Sequence, residues 1–155
     1  MALRISNHVE RSAAMQAFAH THGRTALEVA VSGGQYEDEA GPWYGGTHPS
    51  FARHYIEKLM TDYRLTERQL AVIDLHTGLG PFGHGEIICD HPADSAGTRT
   101  ARRWYGDAVT LPELGTSFSA PKQGLMDYGW HAIMQNDNSC FVTLEFGTGS
   151  TDRLF

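Results

Sequence analysis

Residues 70 to 76, LAVIDLH, are an almost unbroken apolar run that breaks into TGLGPFGHGE, and residues 140 to 146, CFVTLEF, repeat the pattern ahead of a Gly-Thr-Gly turn. Apolar runs of this length, bounded by glycine and proline, are the mark of strands in an α/β sheet, and the first reads as a strand covered on both faces. Residues two apart on a strand point the same way, so Asp74 and His76 share a face at the carboxyl end of theirs. That is where open α/β sheets place ligands. Glu145 stands at the corresponding end of the second run. Two strand ends therefore deliver an imidazole and a carboxylate to one edge of the sheet.

The rest of the chain alternates helices with such strands. Residues 9 to 22 lack Gly and Pro, favour helix and stop at Gly23. After the short apolar piece ALEVAV comes SGGQYEDEAGPWYGGTHPS (32–50), whose glycines, prolines and aromatics indicate an ordered loop. From Pro49 to Arg64, Phe51, Tyr55, Ile56, Leu59, Met60 and Tyr63 recur at helical spacing, with Pro49 placed for the first turn. EIICD (86–90) and AVTL (108–111) read as strands, and 93–105 and 123–136 as helices. The expectation is an α/β fold with a mixed, largely parallel sheet flanked by helices, in a single domain over 1–155.

Bulk properties exclude several partners. The net charge of -6 and a pI near 5.8 disfavour nucleic acid, because phosphate binding depends on clustered Lys and Arg. No apolar stretch reaches the length that spans a bilayer, and the start has no signal-peptide run, so no membrane partner is expected. Cys89 and Cys140 lie far apart inside apolar runs, as buried thiols of a reducing, cytoplasmic compartment do.

A neutral imidazole is a good zinc ligand, and a carboxylate beside activated water can take its proton. From spacing alone the pair has a second reading, since strand-end acids also cap turns. GGQYEDEAGPWYGGTHPSF, IDLHTGLGPFGHGE, RWYG, GTSFSAPKQGLM and LEFGT, in this order from about His22 to Thr148, resemble a zinc-carboxypeptidase-like family of unknown function. That family is related to carboxypeptidase A and, more distantly, to aspartoacylase and succinylglutamate desuccinylase. DLHTGLGP with LEFGT is the specific part of the match. The resemblance implies a partial phosphorylase/hydrolase-like α/β fold, one catalytic zinc, and hydrolysis of an amide or peptide bond in a peptide or acylamino acid. It makes His76 a zinc ligand and Glu145 the general base and later acid.

The chain also departs from the family. Relatives take two more zinc ligands from a His-x-x-Glu segment in an amino-terminal half that has no counterpart here, so this chain resembles the middle and carboxyl-terminal part of a larger catalytic domain. Zinc occupancy in this chain alone is then in question, because catalytic zinc takes three protein ligands. HYIE (54–57) fits the spacing formally, but a helical wheel turns His54 and Glu57 away from the apolar stripe. His8 and Glu10, near the terminus, are no better a pair. The rival to a hydrolase is a catalytically inactive remnant that acts at most as a binding or structural module. Loss of neighbouring strands leaves a sheet edge exposed and the chain prone to self-association.

Other residues carry two readings each. His84 and Glu86 line a pocket, or simply serve loop solubility and strand initiation. Asp74 orients a neighbour from behind, or, the favoured reading, is a buried acid bonded to backbone amides. Tyr128 matches by position the mobile tyrosine of carboxypeptidases, yet the favoured reading packs Tyr128 or Trp130 on the sheet. Tyr36, Trp43 and Tyr44 wall a pocket or pack their own loop. Ser117 and Ser119 lack a nucleophile-elbow pattern, and Cys89 is inert mid-strand.

Overall fold

The computed structural model describes residues 8–134 and 136–149. Among the described residues five α-helices, α1 (His8–His22), α2 (Arg24–Ser32), α3 (Phe51–Asp62), α4 (Ala96–Tyr105) and α5 (Met126–Ile133), accompany four strands, β1 (Leu70–Gly78), β2 (Gly85–Ile88), β3 (Val109–Thr110) and β4 (Ser139–Gly147). The strands form one mixed sheet in the order β1-β4-β2-β3. β1 runs parallel to β4 and β2 parallel to β3, while β2 and β4 are antiparallel.

The sheet carries different layers on its two faces. Ala101 of α4 packs with Cys140 and Val142 of β4 and Val109 of β3, joined by Ile87 and Trp104, to make the apolar core. Alternation along β4 sends Phe141, Thr143 and Glu145 to the opposite face, where Trp130 of α5 meets Phe141 with ring centroids 6.3 Å apart. β2 is too short to pair with the early part of β4. The buried His91 takes over there, its Nε2 accepting the Phe141 amide hydrogen at 3.0 Å. Burial, and secondarily His131 against its ring, pull the His91 pKa down to about 4, which keeps the imidazole neutral and able to accept.

Local chemistry sets the helix limits. Gly23 adopts φ 89° between α1 and α2, a conformation that glycine alone enters without strain, and so the helical run breaks into a hairpin. ALEVAV, assigned to no element from sequence, is part of α2. Ser50 caps α3 by accepting from the Arg53 amide, so Pro49 precedes the cap and not the first turn. Ser95 caps α4 in the same manner, which delays that helix to Ala96. α5 is shorter than 123–136, because Leu125 is its extended N-cap. β2 ends at Ile88, two residues before the expected limit.

Two expectations about burial are corrected. β1 is not covered on both faces: Ile73 and Leu75 are 49% and 69% exposed, because α4 lies over β4 and β3 and leaves the outer strand bare. On α3 only Met60 is buried, with Ile56 and Leu59 partly so; Phe51, Tyr55 and Tyr63 face outward. Among the described residues no helix is long and apolar enough to cross a membrane.

Candidate active site

Register builds the site before any side chain is considered. His76 on β1 pairs directly with Glu145 on β4, and Glu145 with Glu86 on β2. Directly paired residues share a face, so an imidazole and two carboxylates stand in one row across three strands, on the face that carries α5. The next row begins with Asp74 beside Thr143.

Asp74 Oδ2 lies 2.9 Å from His76 Nε2. A carboxylate only accepts, so Nε2 is the donor of this bond, and in the neutral imidazole that leaves the Nδ1 lone pair free. Nδ1 faces Glu145 Oε2 at 3.8 Å. Two acceptors at that separation make no bond with each other. They are placed to hold one group between them, a water proton or a cation. Asp74 thus orients the imidazole, and the reading that bonded it to backbone amides is corrected.

The loop after β1 fixes the carboxylate. Glu145 is 6% exposed, and its Oε1 accepts the Leu79 amide hydrogen at 3.1 Å. That loop crosses directly over the end of β4, where a Cβ on Gly147 would lie 2.1 Å from the Pro81 carbonyl oxygen. The glycine in LEFGT is therefore a packing requirement of the site: only bare backbone lets the two chain segments come this close.

Glu86 is no solvated loop residue. It is 3% exposed; its Oε1 accepts from Thr110 Oγ1 at 2.6 Å and from the Phe118 amide at 3.2 Å. Its Oε2 is buried with no hydrogen-bond partner among the described residues. His84 is exposed, its ring edge-on to Phe118 at 6.3 Å. Phe118 in turn lies against Gly80 of the same loop.

Sequence reasoning missed Asp127, in the first turn of α5. It is 4% exposed, its Oδ1 has no hydrogen-bond partner among the described residues, and burial, then Asp90 and more weakly Asp74, raise its carboxyl to about 7. Asp90 is also raised by burial, with Lys122 pulling against it and Glu86 pushing it up. α5 therefore roofs a carboxylate-rich floor. A lone acid in the apolar stretch LMDYGWHAIM was the available signal, though helix starts attract such acids for other reasons.

Other candidates fall away from this centre. The Tyr128 hydroxyl donates to the Lys122 carbonyl. Its ring lines a groove between α5 and α3, with Ile56, Met60, Met126 and Ile133 among the other walls. His54 and Glu57 sit on α3 as a half-exposed pair, with Glu57 also bonded to Arg53 at 2.9 Å. Tyr36 packs edge-on to Tyr44 at 6.2 Å and against Gly45 of its own loop, and it also lines the same groove as Tyr128. Burial raises the thiols of Cys89 and Cys140, the latter to about 11, which leaves both inert.

With this geometry in place, comparison with known families is informative. The family described as "Protein of unknown function (DUF2817)" matches residues 3–155. The chain belongs to the DUF2817 family. No curated protein and no solved structure matches it. A catalytic zinc ion takes three protein ligands, and among the described residues of this DUF2817 chain no three His, Cys, Asp or Glu side chains are grouped to hold a metal ion. His76 Nδ1 is one suitable donor. By themselves these residues do not make a zinc site.

Proposed function

We propose that this DUF2817 chain carries the base and one metal-ligand position of a zinc-dependent hydrolase of amide or peptide bonds, in the manner of the zinc carboxypeptidases that its DLHTGLGP and LEFGT segments resemble. The observation that carries the reading is the His76 Nδ1 lone pair held toward Glu145 Oε2 at 3.8 Å while Nε2 is tied to Asp74. In it, Glu145 takes a proton from an attacking water and returns it to the leaving nitrogen. Asp74 fixes the ring of His76 so that Nδ1 faces the same water, and the Leu79 amide holds the Glu145 carboxylate in place. The reading requires two further zinc ligands, which the described residues do not group around His76. Peptides and acylamino acids are the substrate classes that fit, and two buried free cysteines favour a reducing, cytoplasmic location.

A second reading has its own support. Because no three-ligand group exists among the described residues, the chain qualifies also as a non-catalytic module that keeps the core of the fold. Metal analysis of the purified protein and of His76→Ala, with an amide-hydrolysis assay in added zinc, separates the two. Zinc bound by the parent and lost in the variant, with activity that Glu145→Gln abolishes, supports the hydrolase. Metal-free, inactive protein supports the module.

A further inference from the structure

α5 turns one stripe toward the sheet. Asp127, Trp130, His131 and Met134 recur at i, i+3, i+4 and i+7, with Asp127 and Met134 buried. The stripe sets like against like. Asp127 feels the charge of Asp90, just past β2, and more weakly that of Asp74 on β1. Four residues on, the His131 ring lies against that of His91 with centroids 4.4 Å apart. Asp127 Oδ1 has no hydrogen-bond partner among the described residues. An ionised carboxylate is costly to hold away from water in such a place, and a neutral carboxyl avoids most of that cost.

The other attachments of α5 are few. Its N-cap, Leu125, offers no side-chain acceptor, and Gly124 before it has φ 70°. On the far side a groove of about 700 Å³ separates α5 from α3. Eight residues make too short a helix to persist alone in water. We propose that α5 is a pH-sensitive lid, seated on the sheet while Asp127 holds a proton and released, to unravel, when that proton leaves.

Burial, and then Asp90, raise the Asp127 carboxyl to about 7, against the pull of the Asp127 and Tyr128 amides. The released chain loses the same proton near about pH 4. The seated state therefore binds the proton more tightly, and seating weakens as pH rises through that window. The surrounding groups leave the sign unchanged. Lys122 acts on Asp90 as a counter-cation and Glu86 as a like charge. Burial raises the Cys89 thiol and the Tyr128 hydroxyl, with Glu113 adding to the latter, so both stay neutral. His91 and His131 are lowered by burial and oppose Asp127 only below about pH 6.5. Release strips the roof from Asp74, which orients His76.

Native-state hydrogen exchange of the full chain tests the lid without any assay of activity, so the outcome is independent of the hydrolase reading. The α5 amides, among them that of Met134, which donates to the Trp130 carbonyl at 2.8 Å, are expected to exchange through a local opening. The β4 amides should stay protected about tenfold better or more. Protection of α5 in the parent relative to Asp127→Asn should fall about tenfold per pH unit from about pH 5 to 6.5, levelling off above about 7.5. The ratio cancels what the histidines contribute in both proteins. Equal protection in α5 and β4, or parallel pH courses in the two proteins, overturns the proposal. Should Asp127→Asn fail to fold, the parent decides between about pH 6.5 and 8, where both histidines are neutral. A fall of about fourfold in α5 protection supports the lid, and protection that stays constant or rises overturns it.

Discussion

His76 and Glu145 are cross-strand partners on parallel neighbours, and their side chains leave the sheet together with Nδ1 3.8 Å from Oε2. The relationship is set by backbone register, so it does not depend on the rotamer of a flexible loop. A slip of one residue in β1 would send His76 to the other face.

Glu145→Gln isolates the proton-transfer role. The amide oxygen can still accept from the Leu79 amide, so thermal unfolding should change little. If the hydrolase reading holds, kcat falls about 10²- to 10⁴-fold with KM nearly unchanged. Steady-state kinetics of the active form checks this, and an unaltered kcat removes Glu145 from the chemistry.

Much of this arrangement was legible in the chain itself. The two apolar runs fixed β1 and β4, and the period-two rule put Asp74 and His76 on one face. Their partner strand was not legible: that His76 faces Glu145 and that Glu145 faces Glu86 follow from tertiary pairing, which no local pattern encodes. Burial was misread for β1 because an apolar run reports that something covers the strand without saying whether this chain supplies the cover. Asp127 and His91 escaped notice for a similar reason. An acid at a helix start and a histidine in a Pro-containing turn look like surface residues until the sheet closes beneath them.

Gly147→Ala tests the close crossing of the loop over β4. A Cβ there meets the Pro81 carbonyl and the Gly80 backbone, which cannot rotate aside. A loss of about 1–3 kcal/mol in urea unfolding is expected, accompanied by disturbance of the Leu79 contact to Glu145. An unchanged unfolding midpoint would contradict the crossing.

Two buried groups should give opposing pH dependences. Asp127, raised to about 7, binds a proton in the folded state that the unfolded chain has already released. Its contribution therefore falls as pH rises from about 4 to 7, by about 4 kcal/mol in full. His91, lowered to about 4, resists protonation when folded, so its contribution rises over about pH 4 to 6.5, by about 3 kcal/mol. The two nearly cancel below pH 6.5. Asp127→Asn should unmask the rising slope and stabilise the protein most above pH 7. His91→Gln should unmask the falling one. Urea unfolding midpoints of the three proteins between pH 4 and 8 check the signs, and parallel curves would refute both assignments.

The most direct measurement of the site is the imidazole nitrogen spectrum of His76 in ¹⁵N-labelled protein, followed through a zinc titration. The account predicts a proton on Nε2, an unprotonated Nδ1, and an Nδ1 resonance that responds to zinc before the other histidines do, with a weaker response in Glu145→Gln. A proton on Nδ1, or a His76 ring indifferent to zinc while other histidines shift, would contradict it.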